Sequence, residues 1–128
     1  MAIIVRRKTR AARRAVMATH DHGGARLAGA KLFDLDLHGM RFRDADLQGA
    51  DLTGCNLVGA DLAGANLRNA FLTGAQLARA NLTRADLTGA YAIATDFGDA
   101  VFTDAKLDDV VYDQATTWPA GVRPPGRA

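Results

Sequence analysis

The sequence predicts an all-β solenoid of stacked coils, preceded by a short basic arm, and three observations carry that prediction. From Ala25 the chain divides into five-residue blocks, ARLAG, AKLFD, LDLHG, MRFRD, ADLQG and onward, without insertion or deletion to Pro119. The third residue of the nineteen blocks is Leu or Phe in sixteen, with Ala92, Tyr112 and Thr117 the exceptions, and the first is Ala in fourteen. The second is Asp or Asn in nine, and the fifth is Gly in eight and Asp in five more. Such a period outranks any local helix or strand signal, because a unit that cannot bury its own apolar face has to stack on its neighbours.

A period of five excludes an α-helix. At about 100° per residue each block leaves a drift of roughly 140°, so the leucines would wander round the cylinder. In an extended segment the first and third residues of a block share a face, and the three-residue step to the next block needs a bend. Gly, Asp and Asn at the block ends supply it. Each block is therefore one short side and one corner, and corners of one hand close the chain into a coil that stacks at roughly 4.8 Å per layer. The Ala and Leu/Phe rows point inward, one small and one large side chain per side, as a narrow interior requires. The other three positions face water.

ADLQG, ADLTG, ADLAG, ANLRN and ANLTR resemble the A(D/N)LXX blocks of the pentapeptide repeat family over residues 25–114. The resemblance implies a right-handed quadrilateral β-helix with four blocks per coil. It also implies a non-enzymatic role, which in a minority of members is protection of type II topoisomerases by DNA mimicry. Thr116 to Pro119, TTWP, resembles a segment that closes the repeats in many members.

Three segments follow in order. Residues 1–24 form the arm, where TRAARRAVMAT has helix-forming Ala and Arg and ends at His22-Gly23-Gly24. Residues 25–119 form the solenoid, slightly under five coils and so roughly 22 Å long. Residues 120–128, AGVRPPGRA, read as an irregular tail. Solenoid ends need caps, and the arm and Trp118 with Pro119 are placed to supply them. The first residues hold no apolar run of signal or membrane length, so a cytoplasmic location is expected.

Nothing in the sequence assembles a reaction centre. Ser and Glu do not occur, which removes serine triads and Glu-based acid–base pairs. Cys55 occupies an inward first position and is expected to be buried and inert. His20, Asp21 and His22 lack further ligands at defined spacing, so no metal or cofactor is expected. Function is then expected on the outside of the coil, as a scaffold for a protein partner. Residues twenty apart share a column, and the column Lys31, Asp51, Phe71, Tyr91, Val111 exposes apolar groups in three successive layers. With Phe33 and Ile93 in the neighbouring column it forms the candidate partner patch, for a different protein or for a second copy in a homodimer.

Charge suggests two alternatives. Residues 25–114 carry thirteen Asp against eight Lys and Arg, a net of −5, whereas the arm carries six basic residues against Asp21, a net of +5. A DNA mimic of roughly 22 Å needs roughly thirteen net negative charges at one per 1.7 Å, so this solenoid holds less than half. The arm residues Arg6, Arg7, Lys8, Arg10, Arg13 and Arg14 are candidates for weak, non-specific binding of nucleic acid or another polyanion, without interleaved aromatics to stack bases.

Overall fold

The computed structural model describes residues 10–125. Among these residues run sixteen parallel β-bridges, fifteen of them joining residues twenty apart, from Asp21↔Arg41 to Tyr91↔Val111. With a period of five, twenty residues make four sides per coil. The bridged residue is always the second of its block, and the fourth and fifth form the turn. Each side is thus too short for a continuous strand, and the ladder consists of single bridges stacked up each side.

Three hydrogen bonds per side repeat from layer to layer. The third residue donates upward to the second of the next coil, as in Leu27 N to Asp46 O at 2.7 Å. The fifth donates to the fourth, Gly29 N to Gln48 O at 2.8 Å, and the second donates down to the first, Asp46 N to Ala25 O at 2.8 Å. First and third positions are buried almost throughout, from Ala25 and Leu27 to Ala92 and Phe97. Where a polar residue takes an inward first position, its donor reaches a carbonyl of the coil below. Thr95 Oγ1 donates to Leu72 O at 2.7 Å, and Cys55 Sγ to Leu32 O at 2.9 Å.

Second-position Asp and Asn have a role beyond facing water. Their Oδ1 accepts the backbone N–H two residues on, as in Asp51 to Thr53 N, Asn56 to Val58 N and Asp61 to Ala63 N, each at 3.1 Å. This Asx turn holds each corner, and Glu or Gln is too long to make it. At the fifth position the backbone is left-handed, and non-Gly residues adopt it at Asp34 (φ 58°), Asp44 (φ 59°) and Asn69 (φ 58°). Above these three stand Gly54, Gly64 and Gly89, where a Cβ would collide with the carboxylate or amide oxygen from the layer below.

Two boundaries differ from the sequence expectation. The coil begins at residues 20–24, not at Ala25, because Asp21 bridges Arg41 and His22 N donates to Arg41 O at 2.7 Å. His22 takes the inward third position and stacks on Phe42 at 5.2 Å, so an imidazole does the work that Leu does elsewhere. At the other end the repeat slips by one residue, since Asp96 pairs with Thr117 and not with residue 116. Thr116 therefore takes the inward first position, donating to Ala92 O at 2.7 Å, and Trp118 takes the third. Trp118 stacks on Phe97 at 4.7 Å and meets Tyr112 edge-on at 5.5 Å.

The helix α1, Arg10–Met17, is joined to the first coil at two points. Val16 is fully buried, and the carbonyls of Val16 and Thr19 accept from His22 Nε2 at 2.7 and 2.8 Å. Arg13 donates to Phe33 O at 2.6 Å and lays its guanidinium 4.5 Å from the centre of the Phe33 ring. His22 and Phe33 lie on opposite sides of the coil, so α1 crosses the end of the core. Leu27, Leu32 and Leu37 are accordingly buried although, among the described residues, no coil lies beneath them.

Candidate interaction surfaces

The third side of each coil carries the apolar column. Phe71 and Tyr91 are bridged and stack face to face, with ring centres 5.0 Å apart and planes within 6°. That distance is the layer spacing, so the ladder itself sets the stacking. Both stay open to solvent, at 43% and 40%, as does Val111; Val101, equally open, stands on the opposite side, in the column of Asp21, Arg41, Asp61 and Asn81. Ile93 lies half-buried two residues from Tyr91 on the same side.

Phe33 does not join them. It sits in the first coil, and Asp51 and Thr53 occupy the layer between it and Phe71. Its ring is engaged by Arg13 of α1. The sequence placed Phe33 correctly in a column but held no sign that a helix would fold back onto it. The patch therefore reduces to Phe71, Tyr91, Ile93 and Val111.

The basic arm divides in the same way. Arg10 and Arg14 are exposed on α1, whereas Arg13 is turned to its own chain. Arg6, Arg7 and Lys8 lie outside the described residues. Negative charge is spread over all four sides and interrupted along each column. Asp36 and Asp96 share a column but are separated by Asn56 and Gln76. Asp44 and Asp104 are separated by Gly64 and Arg84. Arg43 pairs with Asp61 at 2.9 Å and Arg68 with Asp86 at 3.3 Å, each across one layer. Among the described residues no acidic face of DNA-like density forms.

Several carboxyls are tuned by the corners. A hydrogen bond from Thr117 Oγ1 at 2.7 Å, helped by Gly98 N, lowers Asp96 below the ordinary carboxylate range. The N–H of Ala94, with Thr116 and Ala115, lowers Asp113. Asp36 is lowered by its bond to His38. At Asp86 burial opposes ionisation, but bonds from Thr88 and Arg68 outweigh it. These are structural roles, because each carboxylate serves its own turn or a neighbouring layer. Burial pushes the Cys55 thiol up to about 11, which leaves no thiolate for nucleophilic chemistry. His22 is enclosed with Nε2 bound to two carbonyls, so it cannot join His20 and Asp21 around a metal; among the described residues no other His, Cys and Asp cluster could hold one. A shallow groove bordered by Gly23, Gly24, Arg41, Arg43 and Asp61 mixes both charge signs, and its Arg43 is already paired. Among the described residues no helix is long and apolar enough to cross a membrane.

The family model of pentapeptide repeats matches residues 23–57, 55–91 and 80–111, in eight copies. Among solved structures the chain is similar to the pentapeptide repeat protein Rfr23 of the cyanobacterium Cyanothece 51142. There it is 31% identical over 77% of this chain and 63% of that one, with a TM-score of 0.56. It is also similar to a pentapeptide repeat protein of the Arabidopsis thaliana thylakoid lumen, 32% identical over 73% and 66% of the two chains, with a TM-score of 0.54. It spans less than two thirds of either chain's length. No curated protein is significantly similar to it in sequence.

Proposed function

The chain belongs to the pentapeptide repeat family, and from that premise we propose that it is a non-enzymatic scaffold whose third side binds a protein partner. The coil hand is taken as right-handed, as the family's is. The observation that supports the binding reading is the exposed Phe71–Tyr91 stack, extended by Val111 and flanked by Ile93. An ordinary second position carries Asp or Asn because the corner needs the Asx bond. Phe71, Tyr91 and Val111 give up that bond in three successive layers, a local loss with no gain inside the coil beyond stacking.

The size of the patch fixes what it can do. Aromatic side chains bury about 150–250 Å² each, so at these exposures the four residues leave roughly 300 Å² uncovered. At about 25 cal/mol per Å² that is about 7 kcal/mol gross, comparable with an association cost of about 4–15 kcal/mol. A standard interface covers about 800 Å² per partner. The stack is therefore the anchor of a larger contact, the place where aromatic hot spots sit. A second copy of the chain and a different protein both satisfy this arithmetic. Exposed Arg10 and Arg14 support a subsidiary reading, salt-sensitive contact with a polyanion through the arm.

The test replaces Phe71 and Tyr91 together by Asp and compares parent and variant by light scattering and by cross-linked capture from the source lysate. Loss of self-association or of a captured protein is expected. A monomeric parent, with a variant that retains every captured protein, refutes the reading.

A further inference from the structure

The two ends of the solenoid are unlike. At the first coil α1 covers the core, and Leu27, Leu32 and Leu37 are enclosed. Among the described residues no helix covers the last coil, and Phe102, Leu107, Tyr112 and Trp118 are only partly buried. The ladder also stops there with its bonds unmade. By the rule that holds in the layers below, broken only at the corners Ala94, whose N–H turns to Asp113 Oδ1, and Asp99, the N–H groups of Phe102, Asp104, Leu107 and Asp109 and the carbonyls of Ala100 and Ala105 should bond to a further coil. Among the described residues they have no partner. Among the described residues the first coil has the reciprocal vacancy, with no partner for the N–H groups of Arg26 and Lys31 or the carbonyls of Arg26 and Ala28.

The corners match as well as the ladder does. Within the molecule each Asp or Asn corner that has an in-phase coil above it meets Gly, as Asp34 meets Gly54, Asp44 meets Gly64 and Asn69 meets Gly89. The last coil ends on two such corners, Asp104 and Asp109, both left-handed at φ 58°. Counting twenty residues on, in phase with a second molecule, the positions above them are Gly24 and Gly29, left-handed at φ 67°. A Cβ at Gly24 would meet nothing, so the space for the carboxylate is already clear.

We propose that α1 is a releasable stopper, and that its release lets the first coil of one molecule stack on the last coil of a second copy, head to tail. The occupant is this chain itself, since only a coil of the same rise, side length and corner pattern satisfies the ladder and the Asp-over-Gly rule together. Such a contact is heterologous and does not close, so it propagates into rods. Solenoid ends require caps for this reason. The stopper is held by two latches, the His22 bonds to Val16 and Thr19 and the Arg13 contact with Phe33. One pairing opposes the stack, since Lys106 would lie beneath Arg26. Both are at solvent-facing second positions, so added salt favours assembly.

The experiment uses the full chain. Val16→Asp places a charge at the buried centre of the cap, and Arg13→Ala with Val16→Ala removes the Phe33 latch and the buried Val16 side chain without burying a charge, leaving the His22 bonds to the backbone as the remaining hold. Mass is followed by sedimentation velocity over a concentration series, and particle shape by electron microscopy. The expected result is a monomeric parent and variants whose mass climbs with concentration, forming unbranched rods more readily in salt. Adding Gly29→Asp returns them to monomers, because the new carboxylate would confront Asp109 of the neighbouring molecule, whereas within its own molecule it stands beneath Gly49 and obeys the corner rule. The proposal is overturned by a folded variant, cleavable by trypsin at Arg14, that stays monomeric at all concentrations. Assembly that survives Gly29→Asp overturns it equally.

Discussion

Truncating Leu67 to Ala tests the inward phase of the repeat where the consequences are largest. Leu67 is 0% exposed in the middle coil, between Leu47 and Leu87 of the same column, which are also buried. Removing three carbons costs about 2.4 kcal/mol at about 0.8 kcal/mol each. The vacated space, roughly 75 Å³, adds about 1.8 kcal/mol at about 24 cal/mol per Å³ if nothing collapses into it. Collapse is restricted here, because Leu67 N bonds Asp86 O at 2.8 Å, Leu47 N bonds Asn66 O at 2.8 Å, and the ladder fixes the layer spacing. The expected loss is thus about 4 kcal/mol. Arg68, the next residue, is half exposed and holds a surface pair with Asp86, so Arg68→Ala should cost about 0.5 kcal/mol or less. Urea titration of both variants against the parent, with midpoint and slope fitted separately, measures the difference. Equal losses at the two sites would refute the inward assignment of the third position.

The corner rule predicts that Gly64→Ala is costlier than Gly59→Ala, although both are left-handed, at φ 69° and 68°, because only Gly64 stands over an Asp side chain. The difference should vanish in an Asp44→Gly background; a double-mutant cycle with no coupling would contradict it. Acid should loosen the last coil first. Asp96 and Asp113 are held below the ordinary carboxylate range, so their contribution is full above about pH 4 and is lost as pH falls through their lowered folded values. Fluorescence of Trp118, the single Trp, should report this as a urea midpoint that is flat above about pH 5 and falls below about pH 4, with a smaller fall in Asp96→Asn. An unchanged acid response in that variant would remove Asp96 from the account.

The coil was legible in the sequence because a period of five with paired small and large inward residues has one economical solution, and that solution is insensitive to single departures. Ala92 replaces a third-position Leu and is still buried. The same tolerance hid the boundaries. HDHGG at residues 20–24 does not look like a block, since His stands where Leu is expected, yet its two glycines fit the fourth and fifth positions. The signal was present in Asp21, a second-position Asp whose Oδ1 takes Gly23 N at 3.0 Å. The slip near the end was less readable. Continuing the phase put Thr117 at an inward third position, and nothing local revealed that Thr116 would instead satisfy its hydroxyl on Ala92 O.

Surface features follow a different logic, because in a repeat the motif serves the coil and departures from it are where other demands act. Phe71, Tyr91 and Val111 are departures at positions that solvent reaches, and the column arithmetic brought them together without any structure. Phe33 is a departure of the same kind that serves the cap, and telling the two apart requires knowing where α1 lies. That placement depends on Val16, His22 and Arg13 acting across the coil end, a contact between the arm and two opposite sides that no periodicity encodes. The complementary ends were hidden for the same reason. Asp104 and Gly24 are distant in sequence and unremarked in composition, and they acquire meaning only once the twenty-residue rise is applied beyond the last residue of the coil.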